Sequence, residues 1–226
     1  ILCAIDTPDL TAATALAKSL SGTIGGIKLG KEFFTAQGPD GVRHIAQTGH
    51  KIFLDLKFHD IPNTVAGAVA AAMTLDCFML TIHASGGPAM IRAAADARGE
   101  TGPKIVAVTV LTSLGDDDLA SVGQLGPAAQ QVMRLGKMAR AAGADGLVAS
   151  PHEVAALRSA LGADCLLVVP GVRPVWASTD DQVRIMTPAE AVKAGADYLV
   201  IGRPITRAKN PRDAARRIAD EIATEN

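Results

Sequence analysis

Lys51-Ile52-Phe53-Leu54-Asp55-Leu56-Lys57-Phe58-His59-Asp60-Ile61-Pro62-Asn63-Thr64 starts as an apolar strand, ends in charge, and runs into an Ala-rich stretch of helical period. The pattern predicts a strand over 51–57, a helix over 62–74 and a further strand over 78–84: a strand–helix–strand unit. The same alternation fills the chain on both sides. Strands are expected over 1–6, 24–30, 104–111, 146–150, 165–171 and 197–203. Helices are expected near 9–20, 38–48, 87–98, 127–142, 151–160, 187–194 and 210–223. Strands alternating with helices pair in parallel through right-handed crossovers. Eight such units in 226 residues predict a closed α/β architecture, a (β/α)8 TIM barrel forming a single domain over 1–226.

Gly143-Ala144-Asp145, Gly162-Ala163-Asp164 and Gly195-Ala196-Asp197 repeat one local device, a helix stop that leads into a strand. An open doubly wound sheet would instead need a Gly-rich turn after the first strand, and Asp6-Thr7-Pro8-Asp9-Leu10 is not one. The chain opens on Ile1-Leu2-Cys3-Ala4-Ile5-Asp6, a strand already under way, so a few preceding residues, an initiator Met among them, are expected; no signal peptide is legible.

Lys and Arg total 22 against 23 Asp and Glu, a balance that argues against a nucleic-acid partner. No uninterrupted apolar window is long enough for a membrane span. Cys3, Cys77 and Cys165 sit in or beside apolar runs without polar activating neighbours. They read as buried hydrophobes in a reducing compartment, so a cytoplasmic location is expected.

A parallel barrel strand is buried on both faces, so charge within one needs a reason. Here the polar residues gather at strand C-terminal ends: Asp6, Lys28, Asp55 with Lys57, His83, Thr109 with Thr112, and Arg203. Barrel enzymes build their active sites on that face. Asp55 and Lys57, two apart, share a side of an ideal strand, and Lys28 can join them from the next strand. For any one of these residues a salt bridge finishing the barrel rim is an equal reading; for the set it is not. A second constellation closes the seventh and eighth strands: Pro170-Gly171-Val172-Arg173 and Ile201-Gly202-Arg203-Pro204. These are the positions where this fold grips phosphate, with Gly202 allowing close backbone approach and Arg203 supplying a bidentate donor. The polar stretch Pro174 to Gln182 is long enough for a lid, in which Trp176 is either an anchor or an exposed loop residue.

Together the segments Ala4-Ile5-Asp6, Ile27-Lys28-Leu29-Gly30, Phe53 to Thr64, Thr81-Ile82-His83-Ala84, Val108 to Ser113, Pro170 to Pro174, Asp180-Asp181-Gln182 and Ile201 to Thr206 resemble the orotidine 5′-monophosphate decarboxylase family in its bacterial form. They span nearly the whole chain, and Asp-x-Lys-x-x-Asp followed by Ile-Pro-Asn-Thr is the most specific piece. The resemblance implies a lyase of de novo pyrimidine biosynthesis that converts orotidine 5′-monophosphate (OMP) to uridine 5′-monophosphate (UMP) with no metal or organic cofactor. It implies that Lys57 protonates C6 of the pyrimidine, that Asp55 lies near the substrate carboxylate, and that Lys28 completes an alternating charge network. Asp60, with Ile61 and Thr64, would reach into the site of a second subunit of a homodimer. Asp6 would hold ribose hydroxyls, Thr112 the pyrimidine edge, and Arg173, Gln182, Gly202 and Arg203 the phosphate. The bulky Val175-Trp176 pair departs from the family's lid.

The nearest alternative is a magnesium-dependent sugar-phosphate decarboxylase or aldolase sharing the same charged run. It would want a further carboxylate where Lys28 stands. A transition-metal set of Asp55, His59, Asp60 and His83 is disfavoured because His59 and Asp60 follow the strand on a turn, where a surface or subunit-contact role suits His59. His83 reads as a hydrogen-bonded histidine of the barrel rim. A Schiff-base aldolase would want Lys57 with a lowered pKa, which neighbouring carboxylates oppose. A non-catalytic phosphosugar-binding barrel would have no use for the Asp55–Lys57 pair.

Overall fold

The computed structural model describes residues 1–124, 126–177 and 186–224. Among them eight parallel strands close into a barrel in sequence order: β1 (Leu2–Ile5), β2 (Gly26–Gly30), β3 (Ile52–Phe58), β4 (Cys77–His83), β5 (Lys104–Val108), β6 (Gly146–Val148), β7 (Leu166–Pro170) and β8 (Tyr198–Ile201), with β8 pairing back onto β1. The helices that cover it are α1 (Leu10–Ser19), α2 (Lys31–Ala46), α3 (Pro62–Ala72), α4 (Gly87–Ala97), α5 (Asp116–Ser121), α6 (Ala128–Ala141), α7 (Val154–Leu161), α8 (Pro188–Lys193), α9 (Arg203–Thr206) and α10 (Pro211–Thr224). No helix among the described residues is long and apolar enough to cross a membrane.

Alternation along each strand divides the core in two. Outward residues such as Ile27, Leu29, Ile52, Leu54, Leu80, Ile82, Leu167 and Ile201 are buried against the helices. Inward residues Leu2, Phe53, Met79, Val106 and Val168 fill the lower barrel as a separate cluster. Above them the inward positions turn polar, and the packed interior gives way to a cavity. The side chains that matter therefore sit on the layer above a rigid apolar plug.

The lower rim is stapled by the repeated Gly-Ala-Asp device. Gly143, Gly162 and Gly195 take positive φ values of 101°, 75° and 112°. Asp145 Oδ2 accepts from the Ile105 N–H at 2.8 Å, and Asp197 Oδ2 accepts from the Leu167 N–H at 2.7 Å, each tying one strand entrance to the preceding strand. Arg158 caps the second of these, donating to Asp197 at 2.5 Å and to the carbonyls of Gly162, Cys165 and Gly195.

Three local features depart from expectation. Segment α2 breaks at Gly38 (φ 61°, ψ −163°): the stretch from Pro39 on is the helix expected near 38–48, and the helical turns from Lys31 before the break were not expected. β5 stops at Val108, three residues before the predicted end, and a short helix α5 follows; its acidic first turn, Asp116 to Asp118, suits the positive helix start. β8 also ends early, at Ile201, so that Arg203 opens α9 instead of closing the strand.

Candidate active site

At the C-terminal end of β3 the ladder slips. Leu54 pairs with Leu80 and Phe58 with Ile82, so four steps on β3 face two on β4. Lys57 takes up the slack with φ 54°, a left-handed conformation that costs a non-glycine residue about 1–2 kcal/mol. Its N–H leaves the ladder and donates instead to the Thr81 hydroxyl at 2.8 Å. Asp55 and Lys57 thus meet inside the barrel through a bulge rather than through simple strand alternation. Bulges of this kind re-aim side chains beside active sites.

The result is an unbroken chain of alternating charge. Lys57 Nζ lies 2.7 Å from Asp55 Oδ1, Asp55 Oδ2 lies 3.6 Å from Lys28 Nζ, and Lys28 Nζ lies 3.0 Å from Asp6 Oδ1. Asp55 and Lys28 are both buried, at 9% and 8% relative exposure, while the Asp6 carboxylate faces the opening. Burial pushes the Asp55 carboxyl up, but the Lys28 and Lys57 ammonium groups and hydrogen bonds from Lys57 and Thr81 outweigh it, and the net pKa lies below the ordinary value. Thr81 is wholly buried and donates its hydroxyl to Asp55 Oδ1 at 3.0 Å. The segment Thr81 to Ala84 carries part of the family resemblance, but it assigns no site role to Thr81, since a threonine in a strand is ordinary sequence. Gly30 is a second such residue: a Cβ there would lie 3.0 Å from Lys28 Nζ and 3.2 Å from Asp6 Oδ1, so glycine leaves the room in which that ion pair forms.

Asp6, Lys28, Asp55 and Lys57 line a cavity of about 350 Å³. One side is apolar, with Val108, Val110, Leu111 and Val148; Thr112 joins it at the rim. The far end carries Arg173, Gly202, Arg203 and Pro204. Arg173 is buried, and its backbone N–H donates to the Met186 carbonyl at 3.1 Å. Trp176 packs partly against the core, with the Arg217 guanidinium 4.7 Å from its ring centroid, so it is not an exposed loop residue. Val175 beside it is exposed.

Not every candidate is brought together. Asp60, Ile61 and Thr64 do not line this cavity; they are exposed on the turn after β3 and the start of α3, and the Asp60 carboxylate accepts from the Ile61 N–H at 2.6 Å. Thr109 spends its hydroxyl on the Val148 carbonyl and serves the barrel wall. Gln182 lies outside the described residues. The His83 ring makes no hydrogen bond among the described residues, in place of the one expected, and instead faces the His59 ring with centroids 5.5 Å apart. Burial, His59 and the nearby lysines Lys31 and Lys57 push its pKa down to about 4. Among the described residues no cluster of three or more His, Cys, Asp or Glu is placed to hold a metal ion. The thiols of Cys3 and Cys77 are pushed up to about 12 and about 11, chiefly by burial, which keeps them protonated.

A (β/α)8 barrel with opposite charges interleaved at its strand ends, and with two arginines lining the same cavity, has the layout of a barrel enzyme's active site. Comparison makes the class specific: residues 1–218 match the model of the orotidine 5′-phosphate decarboxylase / HUMPS family, and the chain belongs to that family. An orotidine 5′-phosphate decarboxylase of Rhodospirillum rubrum is 53% identical over 98% of this chain and 93% of its own length. One from Anaeromyxobacter dehalogenans is 51% identical over 97% of this chain and 96% of its own. The crystal structure of orotidine 5′-phosphate decarboxylase from Lactobacillus acidophilus superposes with a TM-score of 0.87 at 39% identity, covering 98% of each chain.

Proposed function

We propose that the cavity decarboxylates orotidine 5′-monophosphate to uridine 5′-monophosphate, a carboxy-lyase step of pyrimidine nucleotide biosynthesis, with the whole chain acting as one catalytic domain. The observation that carries the mechanism is the chain of charge from Lys57 through Asp55 and Lys28 to Asp6. As the C6–carboxylate bond breaks, its electron pair stays on C6 in the ring plane, where the π-system delocalises it poorly. Lys57 meets that charge with its ammonium and then transfers a proton from Nζ to C6 as carbon dioxide leaves. Asp55 lies against the substrate carboxylate and, with Thr81, fixes the ammonium. Asp6 holds the ribose hydroxyls at the cavity mouth, and Thr112 the pyrimidine edge.

Magnitudes decide how far Lys57 alone carries the reaction. Two unit charges ~4 Å apart are worth about 4 kcal/mol at an effective dielectric of ~20. A hard decarboxylation needs on the order of 20 kcal/mol of barrier lowering. The remainder comes from binding energy at the phosphate end, where Arg173, Gly202 and Arg203, with Gln182, grip the dianion beside a preorganised site. Ground-state pressure of Asp55 on the carboxylate adds to this.

Asp60, Ile61 and Thr64 serve a neighbouring subunit's site in a homodimer, a reading supported by the exposure of Ile61 at 67% on the turn that leaves the catalytic strand. The buried reduced thiols fit a cytoplasmic enzyme. A magnesium-dependent relative would place a carboxylate where Lys28 sits, since an ammonium 3.6 Å from Asp55 repels the cation. The experiment is direct: protein, orotidine 5′-monophosphate and a chelator should lose orotate absorbance and release carbon dioxide. No turnover, or turnover only with added magnesium, would contradict the assignment.

A further inference from the structure

Arg207, at the end of α9, plays no part in the site described so far. Its N–H donates to the Arg203 carbonyl at 3.0 Å, so the two side chains stand one helical turn apart on the same face. Both line a second cavity of about 250 Å³, along with Arg173, Trp176, Ala177, Pro204 and Ala208. Arg173, Arg203 and Pro204 also line the main cavity, so the smaller one is an annex to its phosphate end. Trp176, pinned by Arg217, forms part of the annex wall.

Like charges one turn apart on a helix repel. Arg203 and Arg207 form no ion pair with a carboxylate among the described residues. Two guanidinium groups left facing one annex, with a third buried at its edge, form an arrangement that a dianion between them relieves.

We propose that Arg207 is a further positioning residue for the substrate phosphate, reaching it from the annex side while Arg173 and Arg203 hold it from the main cavity. The inference rests on the phosphate assignment of Arg203 made above. A phosphate monoester dianion offers three terminal oxygens, enough for three donors approaching from different sides. Because Arg207 is exposed, its contribution is moderate and sensitive to salt.

The test compares kcat/KM for orotidine 5′-monophosphate and for phosphate-free orotidine in the wild type, Arg207→Ala, Arg207→Lys and Arg203→Ala. The readout is the ratio of the two substrates, which a merely structural defect does not move. Arg207→Ala should lower that ratio roughly 3- to 10-fold, with the loss shrinking as salt is raised, and Arg207→Lys should recover part of it. Arg203→Ala should lower the ratio further. A wild-type ratio in Arg207→Ala, beside a lowered ratio in Arg203→Ala, would overturn the role of Arg207 and leave the phosphate site standing. Unchanged ratios in both variants would overturn the phosphate assignment itself, and Arg207 with it. Equal losses on both substrates in Arg207→Ala would reduce Arg207 to a structural residue.

Discussion

The buried hydroxyl of Thr81 donates to Asp55 Oδ1 at 3.0 Å and accepts from the Lys57 N–H at 2.8 Å, so one atom of β4 fixes both the carboxylate and the bulge that carries the Lys57 ammonium. Thr81→Val keeps the shape and removes the hydroxyl. It leaves a buried N–H without its acceptor and should destabilise the fold by about 1–3 kcal/mol. Since Lys57 also loses its fixed position, kcat should fall about tenfold or more, whereas Thr81→Ser should stay near wild type. Steady-state kinetics with denaturant melts checks both; wild-type kcat in Thr81→Val would show that the bulge holds itself.

His83 gives the fold a pH dependence whose sign follows from its neighbours. Its folded pKa of about 4 lies below the ordinary 6.5, so the unfolded chain binds the proton first as pH falls. Stability contributed by neutral His83 is complete above about pH 6.5, declines from there to about pH 4, and is flat below. Allowing for solvent screening of a half-buried ring, the decline amounts to roughly 1 kcal/mol. Urea melts across that window should show a shallower slope in His83→Gln. Asp55 acts lower: its depressed pKa contributes stability that is present above the ordinary carboxylate value and is lost as pH falls through the folded one.

Arg158 supports the opposite end of the barrel from the chemistry. It donates to Asp197 and to the carbonyls of Gly162, Cys165 and Gly195. Arg158→Ala strands those acceptors and should cost about 2–4 kcal/mol in a thermal or urea melt. Kinetic constants measured well below the melting transition should not change, because no part of Arg158 approaches the cavity.

Much of this was legible beforehand, for reasons particular to each residue. The strands announced themselves because both faces are buried, and the Gly-Ala-Asp repeats because a left-handed helix stop favours glycine. Asp55, Lys57, Lys28 and Arg203 stood out as charges where a buried strand tolerates none. Thr81 and Gly30 did not, since a buried hydroxyl and a missing Cβ acquire meaning only from what the fold sets beside them. The bulge at Lys57 was equally invisible: lysine has no preference for positive φ, and the conformation is imposed by Thr81 and Asp55. Gly38-Pro39 is a true break in α2, and the helical turns before it, held by the buried Phe33, were not legible.

The proposal that Asp60 serves a partner subunit's site is tested by complementation. Lys57→Ala and Asp60→Ala proteins, each inactive alone, should form hybrid dimers with one intact site if Asp60 serves the partner subunit. Random mixing makes half the dimers hybrids, so about a quarter of wild-type activity should return. Activity that stays at the sum of the two parents would assign Asp60 to its own subunit's site or to none.

The account turns on Lys57 as proton donor, and one variant addresses it. Lys57→Ala removes the ammonium while leaving Asp6, Lys28 and the arginines of the phosphate end in place. Turnover of orotidine 5′-monophosphate should fall by at least about a thousandfold, as for loss of both a proton donor and a charge. Calorimetric binding of uridine 5′-monophosphate should remain measurable. Turnover within tenfold of wild type, in a variant that still binds the nucleotide, would contradict the account.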